Sequence, residues 1–354
     1  MRSIAFYLPQ FHPIPENNAW WGSGFTEWTN VAKARSLQRG HRQPDLPGEL
    51  GFYDLRVPEI RSQQAALARE YGIDGFCYWH YWYAGKRLLE RPFNDVLKSG
   101  QPDFPFCLAW ANHSWTALWV GQPGRILIEQ TYPGIEDERA HFECLLPAFK
   151  DPRYIRIHGK PLFFIFKMQD FPDPEGFSIR WNQWAREAGL PGLWLAEKRV
   201  SPEGPTAGFS SSTYNIPDLM VRRLKQSSLE KLWDRIRQKY LGSPRVFSFK
   251  RLVENEMNRP LLKHEWPVVM PNWDNTPRSG KRGLVGLHPS PAIFRKWVTH
   301  AARQLADRHP EERILCVRSW NEWAEGNYME PSAFWGRAFL EAFKAGLEDA
   351  KDTQ

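Results

Sequence analysis

The sequence has few cysteines and no pattern that pairs them. Its 354 residues include four, Cys77, Cys107, Cys144 and Cys316, which are far apart and form no CxxC pair. Three of them lie in apolar runs, where a free cysteine behaves as a small hydrophobic residue. A disulfide scaffold, a zinc site and a dithiol redox centre are disfavoured, and we expect neither a metal nor another cofactor.

Other absences narrow the class of protein further. No apolar run approaches the roughly 18–20 residues that a membrane span needs. The N-terminal stretch MRSIAFYLPQF has no apolar segment of roughly 7–15 residues and no small-residue cleavage site, which favours a cytoplasmic location; a chain whose leader had been removed would look the same. No GxGxxG or GxxxxGK[ST] loop follows the first apolar run, and no GxSxG or Cys–His signature indicates acyl transfer.

Basic residues, by contrast, are in excess, and the excess lies in one segment. The formal net charge is +7, from 47 Lys and Arg against 40 Asp and Glu. Residues 222–253 hold ten basic and two acidic residues, which leaves 37 basic and 38 acidic residues elsewhere. Nucleic acid is a poor match as a partner, because most aromatic residues lie outside this segment and the rest of the chain is close to neutral.

The basic segment has more than one interpretation. Leu229, Leu232 and Ile236 favour a solvated amphipathic helix, Ser227–Lys239, that buries them. Alternatively, the stretch Arg222–Arg251 contacts an anionic glycan, a lipid-linked substrate at a peripheral membrane surface, or a nucleotide diphosphate. The sequence does not specify the oligomeric state.

Short apolar runs alternate with helical patterns along the chain. Because most runs are continuously apolar, as strands buried on both faces are, we predict a parallel sheet. About eight such units predict an α/β fold, a single (β/α)8 TIM barrel with long, aromatic-rich βα loops, over residues 1–354 with a short flexible tail; an open doubly wound sheet is the alternative. The predicted strands are Ser3–Leu8, Ile73–Trp79, Phe104–Trp110, Leu162–Phe166, Leu193–Ala196, Ser212–Asn215, Val268–Asn272 and Ile314–Ser319. The predicted helices are Val57–Tyr71, Leu88–Lys98, Glu136–Phe149, Ile179–Glu187, Ser227–Lys239, Pro291–Ala306 and Ala333–Leu347.

Aromatic residues are frequent, and many stand beside polar residues where a predicted strand ends. The chain has 18 Trp, 11 Tyr and 22 Phe. In a TIM barrel these ends face the active site, and flat rings beside hydrogen-bonding groups suit a pyranose; any single ring could equally belong to the core. The candidate substrate-binding residues are Tyr7, Gln10, His12, Trp28, Trp79, His80, Tyr81, Trp110, Asn112, His113, Glu197, Trp273, Asp274, Trp320, Asn321 and Trp323. Trp20, Trp21, Trp28, Trp115 and Trp119 lie in stretches predicted to be loops.

Two glutamates follow the last predicted strand and are the candidate catalytic residues. Glu322 and Glu325 are three residues apart, so a helical turn over Asn321–Gly326 would point both into the barrel mouth. Glycoside cleavage typically uses two carboxyl groups, one as acid and one as base or nucleophile. The flanking Trp320 and Trp323 would desolvate one of the pair and raise its pKa. A solvated pair at a helix start is the alternative, which the position at the eighth strand end disfavours.

The remaining polar residues at strand ends are less specific. The three histidines among the candidates could meet as metal ligands, but no HxH or HExxH spacing supports this, so hydrogen bonding to sugar hydroxyls is preferred. Four further carboxylates lie near predicted loops, and two of them, Glu129 and Glu197, could equally be ion-pair partners. The four are Glu27, Glu129, Glu197 and Asp274.

The motifs at these positions resemble a known family. They are FYLPQFHPIPENNAWWGSGFTEWTNV, GFCYWHYWY, WANHSW, PNWDNTPR and SWNEWAEG. They are similar to the WbsX-like family, found among bacterial polysaccharide loci and related to glycoside hydrolase family 99, and the resemblance runs from Ala5 to about Glu330. It implies a (β/α)8 fold and the endo-acting, retaining α-mannosidase or α-mannanase activity of family 99.

The resemblance also implies roles for the two glutamates. By match to the NEWxEG motif, Glu322 would deprotonate the sugar 2-hydroxyl, which attacks the anomeric carbon to give a 1,2-anhydro sugar. Glu325 would act as acid and then as base. WbsX-like proteins were first labelled glycosyltransferases, so the resemblance leaves the direction of the reaction open.

The sequence therefore favours a metal-independent, retaining glycoside hydrolase that acts within a polysaccharide or oligosaccharide. The first alternative is a glycosyltransferase of O-antigen or capsule assembly, as in lipopolysaccharide biosynthesis; the absence of a DxD motif and of a Gly-rich phosphate loop speaks against it. The second is a non-catalytic carbohydrate-binding barrel. The sugar and the linkage are not specified by the sequence.

Overall fold

Eight parallel strand positions form a barrel in the computed structural model, which describes residues 1–116, 125–198, 201, 203–213 and 242–352 with the single residues 232, 236, 238 and 240. The predicted barrel is thus confirmed. The strands are β1 (Arg2–Tyr7), β2 (Gly75–Tyr83), β3 (Phe106–Trp110), β4 (Lys160–Ile165), β5 (Trp194–Glu197), β6 (Ser211–Thr213), β7 (Glu265–Trp266 and Val268–Val269) and β8 (Ile314–Val317).

The two segments of β7 close the barrel. Glu265–Trp266 pairs in parallel with β6, and Val268–Val269 pairs in parallel with β8. Only Pro267, which has no N–H to donate to a strand, separates the two segments. The neighbours from β8 through β1 to β6 are also parallel, so the strand order returns to its start and the open sheet is excluded.

Helices alternate with the strands as predicted. They are α1 (Pro15–Trp21), α2 (Glu27–Lys33), α3 (Pro58–Glu70), α4 (Arg91–Ser99), α5 (Ile135–Lys150), α6 (Pro174–Glu187), α7 (Phe249–Met257), α8 (Thr276–Ser279), α9 (Pro291–Arg303) and α10 (Ala338–Lys351). Short strands outside the barrel are Lys86–Leu88, Trp115–Thr116, Ile126–Ile128, Arg156–Ile157, Arg245–Ser248, Leu284–Leu287, Asn321–Glu322 and Asn327–Tyr328.

The prediction of loops after β1 was wrong. Trp20 and Trp21 end α1, which starts with Pro15 at a position where a fixed φ suits a helix. Trp28 lies in α2, whose first turn is closed by a capping box at Thr26. Short helices of this kind escape a periodicity search because they span barely two turns. Trp119 and all of the predicted helix Ser227–Lys239 except the single residues 232, 236 and 238 lie outside the described residues.

Three helix starts also differ from the prediction by three residues or more. The helix α4 begins at Arg91, later than Leu88. The helix α6 begins at Pro174, earlier than Ile179, because the Asp173 carboxylate accepts a bond from the Gly176 N–H at 2.9 Å and caps the first turn. The helix α10 begins at Ala338, later than Ala333.

The barrel interior and the helix layer around it form one apolar core. All nine residues of β2 are buried, as expected of a strand covered on both faces. Cys77, Cys107 and Cys316 are fully buried in this core, which agrees with their apolar sequence context. Within the described part of the chain, no helix is long and apolar enough to cross a membrane.

Candidate active site

A cleft of about 280 Å³ opens where the strands end at their carboxyl side. The carboxyl half of β2 and segments after β1, β3, β4, β7 and β8 contribute to its wall, so the site lies at the face where barrel enzymes place theirs. Its lining combines aromatic rings with two carboxylates and two guanidinium groups. The lining residues are Leu8, Gln10, Trp21, Trp79, Tyr81, Ala111, His113, Ser114, Trp115, Thr116, Leu127, Phe166, Arg278, Arg318, Glu322 and Glu325.

A tight turn after β8 brings both glutamates to the cleft. Asn321–Glu322 pairs antiparallel with Asn327–Tyr328, and residues 323–325 form a single 3-10 turn between them. Gly326 has a φ of 58° and sits so close to Asp274 that an added Cβ would lie 2.8 Å from its backbone nitrogen. Only glycine fits there, which explains the glycine of the NEWAEG stretch.

The loop after β1 is tied to this turn by one side chain. The Asn321 amide accepts a bond from the Leu8 N–H at 2.7 Å and donates to the Leu8 carbonyl at 3.0 Å. Leu8 lines the cleft, so this pair of bonds fixes one wall of the cleft against the turn that holds Glu322 and Glu325.

Two arginines hold Glu325. Arg278, from α8, approaches Glu325 Oε1 with Nη1 at 2.6 Å and lies 3.9 Å from Glu322 Oε2. Arg318, directly after β8, places Nη2 at 3.3 Å from Glu325 Oε2. A second nitrogen of the Arg278 guanidinium, Nε, lies 2.5 Å from Glu27 Oε1. These groups are buried or nearly so, and burial strengthens their charge interactions.

The surroundings push the pKa values of the two glutamates apart. Burial and the negative charge of Glu325 raise the pKa of Glu322 to about 7. Burial alone would raise the pKa of Glu325 too, but Arg278 and Arg318 outweigh it and lower that pKa to about 2. Each carboxyl group therefore acts on the pKa of the other. At pH values between about 2 and 7 the pair holds one proton, which rests on Glu322.

Aromatic rings form the walls beside this pair. Trp79, in the middle of β2, donates its indole N–H to Glu322 Oε1 at 3.0 Å. Trp115 packs edge-on against Tyr81 with 5.1 Å between ring centres, and Trp21 lies on the same side of the cleft lining. Rings with a polar edge beside paired carboxylates suit a sugar ring, which needs both apolar and hydrogen-bonding contacts.

A buried lysine lies behind one wall. Lys198 follows β5 and is 6% exposed; its ammonium nitrogen lies 4.4 Å from the Phe166 ring centre and 5.0 Å from that of Trp79. Among the described residues no hydrogen-bond partner reaches this nitrogen. Burial, together with the nearby Arg318, lowers the pKa of Lys198 well below its usual value.

Some of the predicted site residues lie in the cleft lining and others lie behind it. Gln10, Trp79, Tyr81, His113, Glu322 and Glu325 line the cleft. Tyr7, Trp28, Asn321 and Trp323 support it from below: Tyr7 donates to Gln64 at 2.6 Å, Trp28 to the Tyr53 carbonyl at 2.8 Å, and Trp323 to Glu330 at 2.6 Å. Trp320 is fully buried.

The structure does not bring a further group of predicted residues to the cleft. His80 faces His141 of α5 at 2.8 Å, and Trp110 lines a second cleft of about 230 Å³ on that side. Asn112 bonds the Lys167 backbone at 2.7 and 2.9 Å. His12 is buried, and its burial lowers its pKa to about 4.

Three more predicted residues contact neighbouring residues of the loops and do not line the cleft. Glu197 accepts two bonds from Thr206, both at 2.8 Å. Asp274 accepts from Thr276 at 2.6 Å and contacts His41 at 2.8 Å. Trp273 packs behind the Arg318 guanidinium, 5.4 Å from ring centre to carbon. Glu129 is exposed and does not line the cleft.

Sequence reasoning missed the cations of the site. Arg278 stands at the end of PNWDNTPR and Arg318 directly before SWNEWAEG, so both lay inside or beside motifs already singled out. The available signal was electrostatic, since two glutamates buried together need cations nearby. Among the described residues, no group of three His, Cys, Asp or Glu side chains is arranged to hold a metal ion.

Comparison with known families and curated proteins gives two results. The family model described as Glycosyltransferase WbsX matches residues 3–343. Two proteins named "Uncharacterized protein WxcX", from Xanthomonas campestris pv. campestris strains B100 and ATCC 33913, are 38% and 37% identical over 353 residues. The match covers 99% of this chain, which spans about half the length of these relatives.

Solved structures share the fold at low sequence identity. A GH99 endo-alpha-mannosidase from Bacteroides thetaiotaomicron superposes with a TM-score of 0.56 at 16% identity, over 99% of this chain and 98% of that one. A chain titled "Glycoside hydrolase-like protein" gives 0.58 at 15% identity, over 98% and 93%. At such identities the likeness shows the barrel fold.

Proposed function

We propose that this chain, which belongs to the WbsX glycosyltransferase family, is a glycan-active enzyme. More specifically, we propose that it is a retaining glycoside hydrolase that uses Glu322 and Glu325. The observation that carries the proposal is the pair itself: two carboxyl groups line one aromatic cleft, Arg278 contacts Glu325 at 2.6 Å and lies 3.9 Å from Glu322, and the two pKa values are pushed apart. One acid and one base are what glycosidic cleavage requires.

The chemistry needs the proton on a definite member of the pair. In the free site Glu322 carries it and Glu325 is ionised. The family resemblance assigns the reverse, with Glu322 as base toward the 2-hydroxyl and Glu325 as acid. Transfer of the single proton from Glu322 to Glu325 when substrate binds would reconcile the two, because it leaves the pair with the same single proton.

The proposed first step then balances within the pair and the substrate. Glu322, now ionised, removes the proton of the sugar 2-hydroxyl, whose oxygen attacks the anomeric carbon as the glycosidic bond breaks. Glu325 gives its proton to the departing oxygen. In the second step water adds to the anomeric carbon as the 1,2-anhydro ring opens; Glu325 takes a proton from that water, and the 2-oxygen recovers one from Glu322. The anomeric configuration is retained after two inversions.

Glycosyl transfer is the second candidate, and the description of the matching family favours it. In that case a sugar or glycan hydroxyl, rather than water, would accept the glycosyl unit. The basic segment, which is the candidate for a diphosphate, a membrane or an anionic glycan, lies mostly outside the described residues and gives no support to either function.

The test is turnover of a panel of bacterial polysaccharides and oligosaccharides by the wild type, Glu322→Gln and Glu325→Gln. Hydrolysis requires new reducing ends that first appear, by proton NMR, in the configuration of the bond cleaved. Inversion, or unchanged turnover in both variants, would overturn the proposal. Binding of nucleotide sugars in calorimetric titration, with transfer to an acceptor glycan, would favour the transferase, and glycan binding without turnover would favour a binding protein.

A further inference from the structure

Glu27 is a third carboxylate at the site, although it does not line the cleft. It is the first residue of α2 and is completely buried. Its backbone N–H donates to the Gln10 carbonyl at 3.0 Å, and the capping box at Thr26 fixes the helix turn on which it stands. A carboxylate so placed is unavailable to substrate, yet its burial demands a cationic partner.

That partner is Arg278, and the geometry of the contact fixes the direction of the arginine. Glu27 Oε1 lies 2.5 Å from Nε, while Nη1 of the same planar fork reaches Glu325 Oε1 at 2.6 Å. The same nitrogen is 3.9 Å from Glu322 Oε2. Because a guanidinium is rigid, holding Nε decides where Nη1 points. The cation is thereby set against Glu325 rather than midway between the two glutamates.

We infer that Glu27 is a positioning residue: by orienting Arg278 it keeps Glu325 in its carboxylate form and leaves the proton of the pair on Glu322. The consequence for turnover rests on the proposed function, whereas the protonation states themselves do not. Glu27 acts through Arg278 and touches neither substrate nor the glutamate pair.

Other charged or titratable groups also face the pair, and they bear on the test. They are Arg278, Arg318, Lys198, Tyr81 and His113, with Glu27 behind Arg278. Removing the negative charge of Glu27 alone lowers both pKa values of the pair, since a nearby anion disfavours ionisation. Disturbing the orientation of Arg278 has a different signature, because Glu325 loses stabilisation and the difference between the two pKa values narrows.

The experiment is a titration of the side-chain carboxyl carbons by carbon NMR on protein labelled at glutamate Cδ, without substrate. Glu322→Gln and Glu325→Gln assign the two signals. Glu27→Gln can still accept from Nε, so both midpoints should fall by up to about one pH unit while their separation persists. Glu27→Leu cannot accept, so the separation should shrink by about one unit or more.

Glu27→Asp keeps the negative charge, but its shorter side chain withdraws the oxygen from Arg278 Nε. It should therefore also narrow the difference between the pKa values of Glu322 and Glu325, and it replaces Glu27→Leu in the test if that variant does not fold. The matched control is Glu138→Leu. Glu138 does not line the cleft of Glu322 and Glu325, and its carboxylate oxygens lie 3.0 and 2.8 Å from Nε and Nη2 of Arg180. This control should leave both midpoints unchanged.

Separations equal to the wild type in both Glu27→Leu and Glu27→Asp would overturn the inference. A fall of both midpoints with unchanged separation in Glu27→Leu would reduce Glu27 to a simple charge and overturn its positioning role. If the separation narrows but no glycan is cleaved by the wild type, the inference stands and the proposed function fails.

Discussion

Two glutamates on the segment after β8, one partly buried and one fully buried, are kept in different states by different neighbours. Glu325 borders the cleft, and Arg278 and Arg318 lower its pKa to about 2. Glu330, 2% exposed, accepts bonds from Tyr53 at 2.8 Å and Gln64 at 2.7 Å as well as from Trp323, and burial raises its pKa to about 7. Within the described ranges, no Lys, Arg or His lies within ion-pair distance of it.

The two environments favour different roles, which we propose as acid–base chemistry for Glu325 and structural support for Glu330. Cations on both oxygens hold Glu325 ionised, and its position beside the cleft leaves it open to proton exchange with a substrate. Burial resists the ionisation of Glu330 and outweighs its neutral hydrogen-bond donors, which favour the carboxylate. The difference between Glu325 and Glu330 can therefore be tested with the same substitution at both positions.

The largest expected effect comes from the same substitution at the two positions. Glu325→Gln should reduce turnover on the order of 10²–10⁴-fold, because it removes an acid–base group from the reacting pair. Glu330→Gln should keep turnover within several-fold of the wild type. Turnover is measured on whichever glycan of the panel the wild type cleaves. Equal losses of turnover in Glu325→Gln and Glu330→Gln would contradict the assignment of a chemical role to Glu325 and a structural role to Glu330.

The sequence predicted the elements that depend on local pattern. Continuous apolar runs identified the barrel strands, and the position of Glu322 and Glu325 after the last strand predicted that both lie at the cleft. The turn differs in form from the helical turn expected, yet it still exposes both carboxyl groups to the cleft.

Partners from distant parts of the chain could not be predicted in this way. Glu330 stands alone in sequence, and only folding brings Tyr53 and Gln64 to it. Trp28 and Trp323 share the composition of cleft aromatics but pack beneath the site, 5.6 Å apart between ring centres. Beyond the end of a strand, periodicity no longer tells which way a side chain points, so composition alone cannot separate wall from support.

The next effect concerns stability. Glu330→Ala removes one acceptor group from three buried donors, so we expect a loss on the order of 4 kcal/mol in the free energy of unfolding. Glu330→Gln, which preserves shape and one acceptor oxygen, should lose less than half as much. Both values come from urea unfolding at pH 6. A loss below about 1 kcal/mol in Glu330→Ala would mean that these hydrogen bonds do not hold the segment.

The pH dependence of stability gives a third, somewhat smaller effect. The folded pKa of Glu330 lies above its unfolded value, so the folded state binds more protons between about pH 4.5 and 7. The stability that this proton contributes is fully present below that range and is lost as pH rises through it, by up to about 3 kcal/mol at roughly 1.4 kcal/mol per pKa unit. The difference in unfolding free energy between wild type and Glu330→Gln should follow this curve, and a difference that does not vary with pH would contradict it.

The smallest effect concerns a neutral donor beside the pair Glu322 and Glu325. Trp79 donates an indole N–H to Glu322, as Trp323 does to Glu330. Trp79→Phe keeps a ring in the wall but removes the N–H that reaches Glu322 Oε1 at 3.0 Å. A hydrogen bond to a carboxylate contributes about 1.5–3 kcal/mol, and the loss falls on the ionised form of Glu322. We therefore expect the pKa of Glu322 to rise further and turnover to fall by about tenfold, since about 1.4 kcal/mol corresponds to tenfold. The matched control is Trp110→Phe, whose indole N–H has no hydrogen-bond partner among the described residues and should leave the titration of Glu322 unchanged. If Glu322 titrates alike in Trp79→Phe and Trp110→Phe, the indole N–H of Trp79 does not affect the pKa of Glu322. That pKa would then depend on burial and on the neighbouring charges alone.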